Sequence, residues 1–356
     1  MSTLFSPIML RDLTLENRIV VSPMCQYSST DGNANDWHVV NLGHFALSGP
    51  GLVFFEATHV SREGRITDHD LGLYSDENEA AMARVIAFVR TWTKSKIGVQ
   101  LAHAGRKGST VPPWQGGGPA SGEHAYQTVA PSALPYSNWP PPKALDDAGL
   151  QKIRNDFTAA AKRAQRLGLD VIELHFAHGY LAHEFLSPLS NRRTDAYGGS
   201  LENRMRFPLE LFDSVRAAWP QRKPLGVRIS ASDWVAGGWD LEQSIVFVRE
   251  LHKRGCDFVD ASSGGLSPDQ QIPLGPGYQV PFAEGIRKAT GMTTFAVGMI
   301  TQPAQAEEIV STGQADCIVI ARGFIRNPRW VWDAADQLGG EPFVPPEYLR
   351  GRKLTT

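Results

Sequence analysis

The chain has 356 residues, with 35 lysines and arginines against 37 aspartates and glutamates, for a formal net charge of −2. This balance excludes bulk electrostatic attraction to nucleic acid or anionic lipid. Hydrophobic residues make up 42% and charged residues 20%, which supports a large buried core and excludes disorder for most of the chain.

Three cysteines, Cys25, Cys256 and Cys317, are too few and too dispersed for a disulfide framework or a C-x-x-C metal or cluster site. No basic-then-apolar leader opens the chain, and no run of ~18 apolar residues occurs. The expectation is a soluble, reduced, cytoplasmic protein that binds neither nucleic acid nor membrane.

Eight short apolar runs of strand length alternate with eight stretches of helical period. In chain order the pairs are Arg18–Ser22 with Trp37–Leu47, Leu52–Thr58 with Glu77–Thr93, Ile97–Ala102 with Asp147–Leu167, and Asp170–Phe176 with Glu202–Trp219. Then come Leu225–Ser230 with Leu241–Arg254, Phe258–Ser262 with Val280–Thr290, Thr293–Val297 with Pro303–Thr312, and Cys317–Ala321 with Pro328–Leu338. Gly168, Gly255, Gly291 and Gly313 follow helical stretches, where a left-handed residue closes a helix, and Pro303 and Pro328 suit first turns. The apolar runs read as parallel strands buried on both faces. The expected fold is an α/β TIM (β/α)8 barrel, residues 1–356 forming one unit. Residues 109–143, rich in proline and glycine, make a long connection after the third strand, either a lid or a mobile insertion. Its Trp114, Tyr136 and Trp139 favour packing against something.

In such a barrel the carboxyl ends of the strands converge on one mouth. They carry Ser22-Pro23-Met24-Cys25-Gln26-Tyr27, Glu56-Ala57-Thr58, Gln100-Leu101-Ala102-His103, His175-Phe176-Ala177-His178-Gly179-Tyr180, Arg228, Gly298 and Ala321-Arg322-Gly323. This mouth is rich in donors and nearly free of carboxylates, with only Glu56 and Glu173 near strand ends, which disfavours a divalent-cation site. Neither G-x-G-x-x-G nor G-x-x-x-x-G-K is present. Gly298 with Ala321-Arg322-Gly323 suits a phosphate, or merely eases tight turns. His175 and His178, three apart, suit a zinc site lacking ligands beyond His103, a structural pair, or a two-donor anchor for one oxygen. Cys25 reads first as a small buried hydrophobe. Arg228, in an apolar strand with no carboxylate beside it in sequence, needs an electron-rich partner.

The segments Asn17–Tyr27, Gln100–Lys107, His175–Leu181, Phe185–Pro188, Asn191–Ser200 and Glu202–Arg204 resemble the old yellow enzyme family of flavin-dependent ene-reductases, over nearly the whole chain. Cys25 with Tyr27 points to its thermophilic-like or xenobiotic-reductase subgroup. The resemblance implies tightly bound, non-covalent FMN and NADPH or NADH as reductant. Ser22, Pro23, Met24 and Cys25 would line the flavin, Ala57 and Gln100 would hold its pyrimidine edge, and Arg228 would sit by N1 and the C2 carbonyl. Gly298, Ala321 and Arg322 would bind the phosphate, Ala321 standing where the family often has glycine. His175 and His178 would hold the carbonyl or nitro oxygen of an enone, maleimide, quinone or nitro-compound while flavin N5 delivers hydride, and Tyr180 would protonate the α-carbon. Tyr27 would contact substrate and Cys25 would tune the flavin potential. With no separate dinucleotide domain, ping-pong kinetics follow. The tail 341–356 would carry Arg350 into a neighbouring subunit's site, implying a homodimer or dimer-based tetramer, unless the terminus is simply solvated. Related dienoyl-CoA or trimethylamine dehydrogenase types need an iron–sulfur cluster that three scattered cysteines cannot ligate.

Overall fold

In the computed structural model, which describes residues 2–352, eight parallel strands close into a barrel in chain order. They are β1 (Ile19–Val21), β2 (Leu52–His59), β3 (Lys96–Ala102), β4 (Val171–Phe176), β5 (Leu225–Ser230), β6 (Phe258–Ser262), β7 (Thr294–Ala296) and β8 (Cys317–Ile320). The helices that follow them are α1 (Asp36–Ala46), α2 (Asp76–Trp92), α3 (Asp147–Arg166), α4 (Leu201–Ala218), α5 (Leu241–Lys253), α6 (Val280–Thr290), α7 (Pro303–Ser311) and α8 (Trp330–Leu338). The expected alternation therefore holds. Side chains of Ser75, Asp146, Ser200 and Asp240 accept backbone N–H groups at the starts of α2 to α5, satisfying donors that a helix start leaves free. Gly168, Gly255, Gly291 and Gly313 all take positive φ after helices. Pro328, expected in a first turn, lies two residues before α8.

Two-residue periodicity divides each strand between the barrel interior and the helical layer. The inward residues change character along the strands. At the amino ends they are apolar or absent: Val20, Phe54, Val171, Phe258, Phe295 and Cys317 form one buried cluster. Phe258 and Phe295 stack with ring centroids 4.4 Å apart. Gly98 and Gly226 leave room for them, since a Cβ at Gly226 would lie 2.2 Å from the Phe258 ring and one at Gly98 2.4 Å from Phe54. A hairpin that the sequence reading did not anticipate, Ile8–Leu10 with Leu13–Leu15, brings Leu10 and Leu15 into this cluster. Its strands are only three residues long, too short for a period to register.

One step toward the carboxyl ends the inward positions are Gln100, Glu173, Arg228 and Asp260, and one step further His175, Ser230 and Ser262. The strands are thus apolar on the helix side and increasingly polar inside, which corrects the reading of uniformly apolar runs. Cys256 and Cys317 are buried, whereas Cys25, which read first as a small buried hydrophobe, is partly exposed. Among the described residues, no helix is long and apolar enough to cross a membrane. Nor does any group of three His, Cys, Asp or Glu stand close enough to hold a metal.

Candidate active site

His175 leaves β4 pointing inward and His178 follows on a left-handed residue, φ 60°, beside Gly179 at φ 74°. This turn packs directly on the loop after β6, where a Cβ on Gly265 would meet the His178 backbone at 2.6 Å. His178 Nε2 lies 2.8 Å from Ser262 Oγ, and its backbone N–H donates to Ser230 Oγ at 2.8 Å. The Ala177 N–H donates to His175 Nδ1 at 3.3 Å. The His175 ring stands edge-on to both His178 and Tyr180, each 5.0 Å away between centroids. Burial holds both imidazoles well below their usual range, with the Arg228 charge adding for His175 and the neighbouring His175 adding for His178. Both rings are therefore neutral at physiological pH.

Two buried devices hold this turn. Lys107 Nζ donates to the carbonyls of His178 at 2.9 Å and Gly265 at 2.7 Å, and lies 5.4 Å from the centre of the Tyr180 ring. Burial lowers the Lys107 ammonium to about 8, although the Glu184 charge opposes it. Behind the turn, the Gly179 N–H donates to His183 Nδ1 at 2.9 Å, so His183 Nε2 carries the proton that faces Asp233 Oδ1 at 2.9 Å. Asp233 also accepts from Ser187 Oγ at 2.6 Å and the Trp239 N–H at 2.7 Å. Sequence reasoning overlooked Lys107, His183 and Asp233. They are polar residues on other loops, and only the fold brings them to the turn.

Tyr180 and Tyr27 face the same space as Cys25. Burial raises the Tyr180 phenol well above its usual range, helped by Cys25 and Tyr27, and burial likewise raises Cys25 and Tyr27. All three groups keep their protons at neutral pH. Trp114, 67% exposed, meets Tyr27 edge-on at 5.7 Å. From the other half of the same connection, Tyr136 lies 4.9 Å from Lys107 Nζ and 5.0 Å from Trp139. This connection is structured by short turns at Pro113–Gln115 and Gly122–His124 and by the parallel pair Val129–Ala130 with Lys143–Ala144.

On the other side of the mouth a cavity of about 810 Å³ is walled by Arg228, Ser262, Gln279, Gly298, Ala321, Arg322 and Gly323, with Arg326 a further cation at its edge. Gly298 has φ 123°, and a Cβ there would press on Gln279 at 3.1 Å. Arg228 Nη1 donates to Ser22 Oγ at 3.1 Å. Ala57 pairs with Gln100 in the β2–β3 register, just past a bulge at Glu56. Cys25 approaches the Ala57 backbone and the Tyr27 side chain.

Two expectations need correction. The mouth is not nearly free of carboxylates, and Arg228 does not lack one. Asp260 sits opposite it in the β5–β6 register, with Oδ2 3.4 Å from Arg228 Nε. Separation by 32 positions hid this pair from inspection of neighbours. Arg350 is exposed on the turn Leu349–Arg352, where the tail packs on α8 through Tyr348 against Trp332 and Arg352 against Asp336.

Residues 3–341 match the model of the NADH:flavin oxidoreductase / NADH oxidase family. The NADPH dehydrogenase of Geobacillus thermodenitrificans is 45% identical over 353 residues, covering 98% of both chains. Among solved structures, morphinone reductase superimposes with a TM-score of 0.79 at 29% identity, covering 97% of this chain and 92% of that one. The same enzyme in complex with tetrahydroNAD gives 0.77 at 27% identity, covering 97% and 93%. The chain belongs to the NADH:flavin oxidoreductase / NADH oxidase family, the FMN-dependent oxidoreductases of the old yellow enzyme type.

Proposed function

We propose that this protein is an FMN-dependent ene-reductase that draws on NADPH or NADH and reduces the activated C=C bonds of α,β-unsaturated carbonyls, maleimides, quinones or nitro-compounds. The observation that carries this reading is the neutral His175–His178 pair facing the protonated phenol of Tyr180 beside a cavity ending in Arg228. Bound FMN supplies the two-electron chemistry that links the nicotinamide to the acceptor.

The residues present fit that cofactor. Arg228 lines the cavity with Nη1 on Ser22 Oγ and Nε turned toward Asp260, which fixes a buried cation where the flavin would meet it. Gly298 keeps backbone accessible at the far end of the cavity, beside Ala321 and Arg322, which suits a phosphate. Gln100, Ala57, Ser22, Pro23, Met24 and Cys25 would line the flavin ring between these ends. Cys25, with its thiol protonated, would tune the potential without covalent chemistry.

His175 and His178 would bind and polarise the acceptor's carbonyl or nitro oxygen, Tyr27 would contact the acceptor, and Tyr180 would give its proton to the α-carbon. The 109–143 connection, with Trp114 on Tyr27 and Tyr136 on Lys107, would cap the pocket. A homodimer or dimer-based tetramer would let the exposed Arg350 complete a neighbour's site. Morphinone reductase has been solved with a nicotinamide analogue, and the one pocket here would serve reductant and acceptor in turn. Initial rates at varied NADPH and cyclohexenone test this: the reading expects parallel double-reciprocal lines, and intersecting lines would contradict a shared pocket.

A further inference from the structure

Gln100, Glu173, Arg228 and Asp260 come from four consecutive strands and are at most 6% exposed. Gln100 Nε2 donates to Glu173 Oε1 at 2.7 Å, and Asp260 Oδ2 stands 3.4 Å from Arg228 Nε. Among the described residues, Glu173 Oε2 and both Asp260 oxygens accept no hydrogen bond. Two buried carboxyl groups therefore share one guanidinium, which can neutralise only one of them, and a second bare carboxylate in the barrel interior would be very costly. Asp260 is the one against the guanidinium; Glu173 is tied to a neutral amide.

We propose that Glu173 is held as a carboxylic acid at neutral pH, and that its proton preserves the positive charge Arg228 presents to the flavin. Glu173 is then a positioning residue for charge. It acts through Arg228, and its ionisation at higher pH lowers the potential of bound FMN. This rests on the reading above that the FMN pyrimidine edge lies against Gln100 and Arg228. Facing Glu173 are Gln100 from β3, Arg228 from β5 and Asp260 from β6. Burial pushes its carboxyl up to about 8, the Asp260 charge adding while Arg228 and the Gln100 hydrogen bond oppose. Burial also raises Asp260, but less, because Arg228 counters it.

The test is the midpoint potential of bound FMN between pH 6 and 9.5 in the holoenzyme and its variants. Wild type is expected to show an extra downward slope setting in near the Glu173 transition. One proton per two electrons is a tenfold change in equilibrium constant per pH unit, about 30 mV. Glu173→Gln, neutral and of the same shape as the acid, should match wild type at pH 6 to 7 and lack the extra slope. Asp260→Asn removes the charge that keeps Glu173 protonated, so the break should move to lower pH, which tests the idea even if the glutamine variant folds poorly. A Glu173→Gln potential displaced at pH 6.5, a break that survives that substitution, or one unmoved by Asp260→Asn would overturn the proposal. Arg228→Lys separates the underlying reading: if neither potential nor FMN affinity responds to it, the flavin does not lie against Arg228, whatever Glu173 does.

Discussion

His175 Nε2 and His178 Nδ1 lie 3.3 Å apart. The Ala177 N–H donates to His175 Nδ1, which puts the His175 hydrogen on Nε2, while His178 Nε2 faces Ser262 Oγ at 2.8 Å, a hydroxyl that donates to Gln279 Oε1. When the Ser262 hydroxyl turns its hydrogen to His178 Nε2 instead, both facing ring nitrogens carry hydrogen and converge on a single acceptor. Such a pair would hold a carbonyl or phenolate oxygen without a net charge of its own.

Removing one donor should cost about 1.5–3 kcal/mol against an anionic oxygen, or roughly ten- to a hundredfold in affinity. His175→Ala should weaken p-hydroxybenzaldehyde binding by that factor, read from the perturbation of the flavin spectrum. Affinity equal to wild type would contradict the anchor.

Tyr180→Phe should slow reoxidation by cyclohexenone, by up to ~10²–10⁴-fold where no water replaces the phenol, while reduction by NADPH stays near wild type. Stopped-flow measurement of the two half-reactions separates these. Equal loss in both would point to a role in binding instead.

Glu184 is fully buried, accepting the Arg106 N–H at 2.8 Å, and burial raises its carboxyl to about 8 against the opposing Arg106 charge. In the unfolded chain a glutamate titrates near ~4.3. The folded state binds this proton more tightly, so its contribution to stability is full below ~4.3 and is lost as pH rises toward about 8, at most ~1.4 kcal/mol per pH unit. Glu184→Gln should flatten that fall. Urea titrations from pH 5 to 9 check it, and parallel wild-type and variant curves would remove Glu184 from the account.

Gly226→Ala places a methyl group 2.2 Å from the Phe258 ring on the neighbouring strand. Overpacking of this kind costs about 1–3 kcal/mol. The midpoint of chemical unfolding should fall accordingly and partly recover when Phe258→Leu is added; an unchanged midpoint would mean the barrel floor has slack.

The alternation of strands and helices was legible because it rests on local period, and the end-of-strand residues His175, His178, Tyr180, Arg228 and Gly298 followed from it. What escaped notice depends on register. Asp260 beside Arg228, Ser262 behind His178, and Lys107 clamping the loops after β4 and β6 are each placed by strand closure, which leaves no mark on the neighbouring sequence. The hairpin of Ile8–Leu10 with Leu13–Leu15 escaped for another reason: its three-residue strands carry no readable period. Arg350 lies on the chain's exposed tail, and its proposed role depends on a second copy.

In the proposed reaction one pocket passes electrons from a nicotinamide through FMN to an activated C=C bond. It is tested most directly by adding stoichiometric NADPH, without oxygen, to protein loaded with FMN, then cyclohexenone, and following the visible flavin band. NADPH should bleach the band, cyclohexenone should restore its full colour, and one equivalent of cyclohexanone should form. A chain that retains no FMN, or that bleaches but does not recolour with any enone, maleimide or quinone, would contradict it.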